Sequence, residues 1–519
     1  MRTKLFFPIL IIVLLLINLF TFGVIDVESI KSLYFSSHEI FLKIAENIIY
    51  FIFVSLLIFT DIIIILERRD PAKTLAWLLI LIFLPVLGFI LYLIFGRQIK
   101  KRKVSSKKKF LNNSMYPLDN SFLQYRKNPL TNIANSKKRL IQLILNNANF
   151  PPTIYNEISI LNNGEEIFPA FIEALKAATK YIYLETYILR DDVIGNTITK
   201  ILCLKAQEGI KVHLIYDGLG SLELKKSFLK KLKLAGIKVE PFFPVRLSFL
   251  HRKINYRNHR KILVVDGTIG FVGGANIGDE YLGINPKFGF WRETHLLLKG
   301  NAVYFLQRIF LQDWYFTTKK CLQCELPTPF SEINSHNNEI VQITASGPDT
   351  YWESIMQVYY YAIATAEKSI YITSPYFIPN ESILTALKTA ALSGVDVKLL
   401  LPAKPDHKIV FWASMSYLEE LLEAGVNIFL YNKGFLHSKV LTIDGVVSSI
   451  GSANMDQRSF NLNFEVNALI YDKATAKKLE ENFLNDLKTA NMIELEKFSA
   501  RPLNKRFIES IAKLLSPIL

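Results

Sequence analysis

Asn258-His259-Arg260-Lys261-Ile262-Leu263-Val264-Val265-Asp266-Gly267 is the stretch that decides the fold, because the chain writes it twice. The second version is Leu436-His437-Ser438-Lys439-Val440-Leu441-Thr442-Ile443-Asp444-Gly445. In each, four residues separate Lys from Asp, and six more lead to a small-residue run, Gly273-Gly274-Ala275-Asn276 or Gly451-Ser452-Ala453-Asn454. Each is then followed by a strand-like segment carrying one acid, Trp291-Arg292-Glu293-Thr294 and Asn463-Phe464-Glu465-Val466. A lone His-x-Lys has little meaning, whereas two with matched spacing in matched surroundings mark an internal repeat.

Working outward, each copy is preceded by the same alternation. The first reads as a helix Phe168–Thr179, a strand Tyr181–Ile188, a helix ending near Gly209 and a strand Ile210–Tyr216. The second reads as a helix Ile355–Ala366, a strand Ser369–Phe377, a helix ending near Gly394 and a strand Val395–Leu401. A further helix and a Gly-initiated strand follow at Gly236-Ile237 and Gly425-Val426. Alternating strands and helices predict an α/β layer arrangement, with mixed strands once the motif hairpins are added.

The residue types suit phosphoryl transfer. Alternate strand residues share a face, so His259 projects with Lys261 and His437 with Lys439. A pseudo-twofold pairing of the copies then gathers two imidazoles and two ammonium groups in one cleft, with Asn276 and Asn454 as added donors. Such a set holds the oxygens of a phosphodiester electrostatically. One imidazole attacks phosphorus while the other protonates the leaving alkoxide and later deprotonates the incoming alcohol. Glu293 and Glu465 are placed to fix the imidazole tautomers, each serving the histidine of its own or of the other copy. The scheme needs no metal and no cofactor. Asp266 and Asp444 each precede Gly between two strands, which is turn chemistry.

At these residues the chain resembles the phospholipase D superfamily and, within it, the bacterial cardiolipin synthases. The resemblance extends to Tyr216-Asp217-Gly218, Glu280-Tyr281-Leu282, Ser346-Gly347-Pro348-Asp349, Pro375-Tyr376-Phe377-Ile378-Pro379, Asn454 through Phe460, and the tail from Arg501 to Leu519. It implies two phospholipase D-like α/β/α domains with a central mixed sheet, residues 151–327 and 328–519. It also implies that two phosphatidylglycerol molecules give cardiolipin and glycerol. The family motif His259, Lys261, Asp266 with His437, Lys439, Asp444 is the implied catalytic set, supported by Asn276, Asn454, Ser452, Glu293 and Glu465. His259 is the implied nucleophile and His437 the acid and base, although pseudo-symmetry permits the reverse. A hydrolytic phospholipase D and a transferase with another donor or acceptor share the same chemistry. So does a nuclease.

The front of the chain disfavours the nuclease and nucleic acid as partner. Three apolar stretches, Leu5–Ile25, Ile48–Leu66 and Leu75–Phe95, each approach the ~20 residues of a membrane-crossing helix. Residues 1–96 therefore read as a multi-pass anchor in the bacterial plasma membrane. The third stretch is interrupted at Leu84-Pro85 and is expected to kink or re-enter. The basic run from Arg97 to Lys109 opens a linker and surface helix, residues 97–150. By the positive-inside tendency it puts the catalytic part on the cytoplasmic side. The formal charge of +15 suits an anionic lipid bilayer. Cys203, Cys321 and Cys324 give no disulfide framework. Phe242 and Phe243, followed by Arg246, Arg252 and Lys253, suit either a bilayer interface or a buried loop. The apolar spacing of Phe507, Ile508, Ile511, Leu514 and Leu515 predicts a helix, more often packed on the core than in contact with a membrane. Oligomeric state leaves no signature.

Overall fold

The computed structural model describes residues 37–67, 71–92, 96, 122, 135–244, 255–284, 289–322 and 339–517. The chain divides into two compact units, Met1–Gly96 and Arg97–Leu519.

In the first unit the helix Ser37–Leu66 contains the apolar span Ala45–Leu66 of 22 residues. At 1.5 Å per residue it is about 33 Å long, enough for a hydrocarbon core. Two shorter helices follow, Pro71–Phe83 and Pro85–Leu91, separated at Leu84, whose φ of −131° and ψ of 64° leave the helical region. Pro85 forces this break, because its ring crowds the residue before it and it brings no N–H. The interruption expected at Leu84-Pro85 is therefore present. The stretch Leu5–Ile25 and the basic run Arg97–Lys109 lie outside the described residues.

The second unit is built on two mixed sheets of the same strand order. From edge to edge the first runs Asn156–Asn162, Thr294–Gly300, Ile269–Gly273, Ile262–Val265, Tyr181–Thr186, Lys211–Asp217 and Lys238–Phe242. The second runs Val341–Ser346, Asn463–Ile470, Val447–Gly451, Val440–Ile443, Ser369–Thr373, Asp396–Pro402 and Asn427–Tyr431, with Ala490–Met492 added at the end. In each, three strands are parallel and joined through helices, as right-handed crossovers require. Ile262–Val265 and Asn463–Ile470 are buried on both faces; the first is accordingly an unbroken apolar run, whereas the second alternates and buries Asn463, Glu465 and Asn467. The helix Ala302–Thr318 is buried from Ala302 through Trp314 and contacts strands of both sheets. The helix Asn135–Ala148 buries Leu140, Ile141, Ile144 and Leu145, and Gln342 donates to the Ile141 carbonyl at 3.1 Å.

Two short strands leave their own sheets and cross to the other repeat. Arg257–Asn258 pairs in parallel with Asn463-Phe464, and Gly434–Leu436 pairs in parallel with Phe290–Arg292. This reciprocal exchange is what joins the halves at the histidines.

Asp266 and Asp444 sit in the hairpin turns. Asp266 and Gly267 have φ of 52° and 72°, and Asp444 and Gly445 have φ of 56° and 63°. That is the type I′ geometry in which Asp-Gly is favoured. The Asp266 carboxylate accepts from the Thr179, Lys180 and Tyr181 amides and from the Thr179 hydroxyl. Asp444 accepts from the Glu367, Lys368 and Ser369 amides. Each is separated from its histidine by a strand, roughly 20 Å at 3.3 Å per residue. The structure therefore does not bring either aspartate to the histidines.

Two expectations change. Phe242 and Phe243 are buried, with Phe242 stacked on Phe316 at 5.3 Å and edge-on to Phe464 at 5.0 Å. Of the two readings of this loop, the buried one holds for these rings; residues 245–254 lie outside the described residues. The C-terminal helix Leu503–Leu514 buries only Glu509 and Ala512, so it is not the core-packed helix its spacing predicts. Cys203 is buried and unpaired; Cys324 lies outside the described residues.

Asp266→Ala removes an acceptor that ties the turn to three amides, so it is expected to lower unfolding stability by about 1–3 kcal/mol. The folded variant should keep its turnover. Denaturant unfolding and activity per folded molecule check this, and a loss of turnover at unchanged stability would contradict it.

Candidate active site

His259, Arg260 and Lys261 lie in a link between the crossing strand Arg257–Asn258 and the sheet strand Ile262–Val265. His437, Ser438 and Lys439 occupy the same link between Gly434–Leu436 and Val440–Ile443. The expectation of one continuous strand is thus corrected. The chain changes pairing partner at each motif, and the ladder is interrupted there. The His259 amide donates to the Phe464 carbonyl at 2.9 Å, and the His437 amide donates to the Arg292 carbonyl at 2.8 Å.

Those bonds put each histidine beside the acid of the opposite repeat. His259 Nδ1 lies 3.0 Å from Glu465 Oε1, and His437 Nδ1 lies 2.5 Å from Glu293 Oε2. The two Nδ1 atoms are held by carboxylates, which turns each Nε2 towards the cavity the rings line. Lys261 Nζ donates to the His259 carbonyl at 2.6 Å and Lys439 Nζ to the His437 carbonyl at 2.5 Å. Lys439 Nζ also lies 3.2 Å from both His437 ring nitrogens. All four sequence-predicted cationic or imidazole groups, with both glutamates, therefore meet.

The supporting residues divide. Ser452 Oγ donates to Glu465 Oε2. Its counterpart Gly274 offers no hydroxyl, and a Cβ there would stand 2.3 Å from Glu293 Oε1. Asn276 and Asn454 line the same cavity. The Asn276 carbonyl accepts from the Ile188 amide at 3.1 Å while its amide donates to the Tyr281 hydroxyl. The Asn454 carbonyl oxygen is buried without a hydrogen-bond partner.

A buried scaffold carries the first link. Asp217 accepts from the Asn258 amide at 2.9 Å and pairs with Arg257 at 3.3 Å. Arg260 pairs with Asp313 and donates to the Glu465 and Ser346 carbonyls at 3.1 and 3.2 Å. Glu185 accepts from the Asn258 side chain. Sequence reasoning missed Glu185 and Asp313. The available signal was an acid inside an otherwise apolar strand and another inside an apolar helix.

Burial governs the titrations. It lowers His259 to about 4 against the pull of Glu465. It lowers His437 well below the ordinary imidazole value, and Lys439 and Lys261 push the same way. Burial also lowers Lys439 to about 8, opposed by Glu293 and Glu465, and lowers Lys261 well below the usual range. Burial pushes both glutamates up. At Glu465 the pull of His259, Lys261 and Ser452 outweighs it and the net shift is downward. At Glu293 burial wins and the net shift is upward, despite Lys439. Burial thus favours the neutral form of both imidazoles, and negative charge placed beside them favours the protonated form.

The cavity is about 630 Å³ and open to solvent on one side. Tyr187, Tyr281, Trp291 and Tyr376 form much of its wall, with Arg190, Arg257 and Arg458, and Leu219, Leu222 and Val410 add apolar surface. Trp291 packs against His437 at 5.2 Å and Tyr187 against His259 at 5.0 Å.

Two matched halves sharing one histidine–lysine cleft are the arrangement of the phospholipase D class. The family described as "Cardiolipin synthase, PLD-like domain" matches residues 171–314 and 359–487, and a family described as "Phospholipase_D-nuclease N-terminal" matches residues 48–97. A cardiolipin synthase of Geobacillus sp. (strain WCH70) is 48% identical over 462 residues, covering 89% of this chain and 92% of the relative. The major cardiolipin synthase of Bacillus subtilis (strain 168) is 40% identical over 486 residues, covering 92% and 100%. The crystal structure of phosphatidylserine synthase from Haemophilus influenzae shares the fold at a TM-score of 0.56 and 16% identity, covering 74% of this chain and all of that one. The chain belongs to the cardiolipin synthase family of the phospholipase D superfamily. It is a phosphatidyltransferase acting on phospholipids, and it associates with the membrane.

Because Lys439 is lowered to about 8, its charge is present below that pH and lost above it. The value of kcat/KM, which reports the free enzyme, is expected to fall as pH rises through about 8, well before an ordinary lysine titrates. A profile flat from neutrality to pH ~10 would contradict the assignment.

Proposed function

We propose that the chain transfers a phosphatidyl group from one phosphatidylglycerol to the primary hydroxyl of a second, giving cardiolipin and glycerol through a phosphohistidine. The observation that carries this reading is the crosswise pair of histidine–glutamate contacts, His259 with Glu465 and His437 with Glu293, around one cavity.

The donor's phosphodiester sits between Lys261 and Lys439, whose charges stabilise the oxygens as the displacement proceeds. His259 Nε2 attacks phosphorus. Its Nδ1 proton is held by Glu465, so the positive charge that develops on the ring faces an ionised carboxylate. His437 donates its proton to the departing glycerol oxygen, and free glycerol leaves. The acceptor hydroxyl then enters, His437 removes its proton, and the alkoxide displaces His259 from phosphorus. The difference between the glutamates supports this order. Glu465, lowered by His259, Lys261 and Ser452, suits a nucleophile's partner. Glu293, raised by burial, leaves His437 with a proton more readily passed on. Asn276 and Asn454 border the phosphate, while Asp266 and Asp444 act on the fold.

In this reading residues 151–327 and 328–519 are two catalytic halves, 97–150 joins them to the membrane, and 1–96 is a multi-pass anchor in the bacterial plasma membrane. The apolar span Ala45–Leu66 and the basic residues Arg68, Arg69, Lys73 and 97–109 support a cytoplasmic catalytic side.

With labelled phosphatidylglycerol as sole lipid, the purified chain is expected to release glycerol and form cardiolipin, whereas phosphatidic acid would indicate hydrolysis. His259→Ala and His437→Ala should each lower turnover by a factor on the order of 10⁴ or more. His437→Ala should accumulate an acid-labile phosphatidyl adduct on His259, and an adduct on His437 in the reciprocal variant would reverse the roles. Single cysteines replacing Lys73 and Lys101 should both resist an impermeant thiol reagent in intact cells; labelling of either would overturn the orientation.

A further inference from the structure

The C-terminal helix Leu503–Leu514 presents an apolar face that nothing in the catalytic unit covers. Leu503, Phe507, Ile511 and Leu514 are 80%, 66%, 48% and 79% exposed. At 100° per residue these four fall within an arc of about 80°. The buried residues Glu509 and Ala512 lie roughly 140–160° round from its centre. The helix therefore rests Glu509 and Ala512 on the protein and turns most of its large apolar side chains outward.

Three observations say what the face meets. First, the surrounding charge is basic. Lys497, Arg501, Lys505, Arg506 and Lys513 stand within this stretch against Glu509 alone among the acids from 497 to 513; Arg501 pairs with Glu509, and on the protein side Lys497, Arg506 and Lys513 lie 2.7, 3.4 and 3.6 Å from Glu494, Glu419 and Glu420. Second, the helix is joined to the active-site mouth through one neighbouring helix. The helix Lys408–Met415 packs against Leu503–Leu514. Its Val410 and the preceding His407 line the catalytic cavity, while Phe411, Trp412 and Met415 line a second hollow of about 570 Å³ with Ile508 and Phe498. Third, the cavity rim is itself apolar and exposed at Leu219 and Leu222. An amphipathic helix with basic flanks beside such a mouth has the chemistry of an interfacial lipid contact.

We propose that Leu503–Leu514, together with the helix Lys408–Met415, docks the catalytic unit on the surface of an anionic bilayer. This contact is separate from the apolar N-terminal segments, and it turns the active-site mouth towards the lipid. The proposal rests on the reading that the cavity takes phospholipid. It adds that substrate enters directly from the membrane plane, its acyl chains leaving over Leu219, Leu222 and Val410. The basic flank favours phosphatidylglycerol-rich surfaces over zwitterionic ones.

The test uses the full chain reconstituted in vesicles and the Phe507→Trp variant, with the parent chain's five tryptophans as background. The added emission should be quenched by lipids brominated on the acyl chains when phosphatidylglycerol is abundant, and several-fold less in pure phosphatidylcholine. Absence of quenching would overturn the proposal, whether a second copy or the chain's own apolar segments cover the face. Equal quenching in both lipids would overturn its anionic preference. A second variant, Phe507→Asp with Leu514→Asp, should lose turnover several-fold on vesicles yet stay within twofold of the parent on detergent-dispersed phosphatidylglycerol. An equal loss in both settings would assign the helix a purely structural role and overturn the proposal. Should the parent itself fail to turn over in detergent, the functional reading fails, while the quenching result still decides whether the helix docks.

Discussion

The site depends on two short parallel strand pairings. Arg257–Asn258 reaches across to Asn463-Phe464, and Gly434–Leu436 reaches across to Phe290–Arg292. Each leaves its own sheet just before a histidine, so each histidine is positioned by the backbone of the repeat it does not belong to. A repeat by itself holds a histidine without its carboxylate and a carboxylate without its histidine. The buried helix Ala302–Thr318, in contact with both sheets, stiffens the joint, and its Asp313 fixes Arg260, which in turn holds the Glu465 carbonyl.

Burial gives the cleft its electrostatic character. Two lysines, two imidazoles and two glutamates out of water are costly unless each is paired, and the pairing is complete only when an anionic phosphate joins the lysines. The depressed lysine and histidine values reflect burial first, which penalises every charged form in the cleft. In the proposed reaction a phosphodiester brings negative charge beside these groups and favours their charged forms. Bulk water would screen the same groups and weaken the effect.

Much of this was legible in the residues, and the reasons are local. The α/β class followed from alternating strand and helix patterns, and the presence of two similar halves from the repeated motif; the order of the strands within each sheet came from the structure. The Asp-Gly pairs announced their turns because type I′ geometry needs positive φ. The glutamates were found as candidates, yet which histidine each serves was not legible, since a contact between residues 259 and 465 is set by the strand exchange and leaves no periodic trace. The same holds for the break in strand structure at both motifs. Arg260 and Ser438 occupy equivalent positions with different partners, Asp313 and Thr294, a difference only tertiary packing defines. The tail helix misled because spacing reveals that a face is apolar, never what it faces.

The small asymmetries between the repeats bear on how a pseudo-symmetric cleft runs an ordered reaction. Gly274 and Ser452 hold matching positions, but only the second places a hydroxyl on its glutamate, and a Cβ at the first would meet Glu293. A symmetric pair of imidazoles would compete equally for phosphorus and for the proton. The Ser452 hydroxyl adds to the larger pull of His259 and Lys261 in holding Glu465 ionised, while burial pushes Glu293 the other way. In the proposed reaction that difference between the two carboxylates is what separates the work of the two histidines.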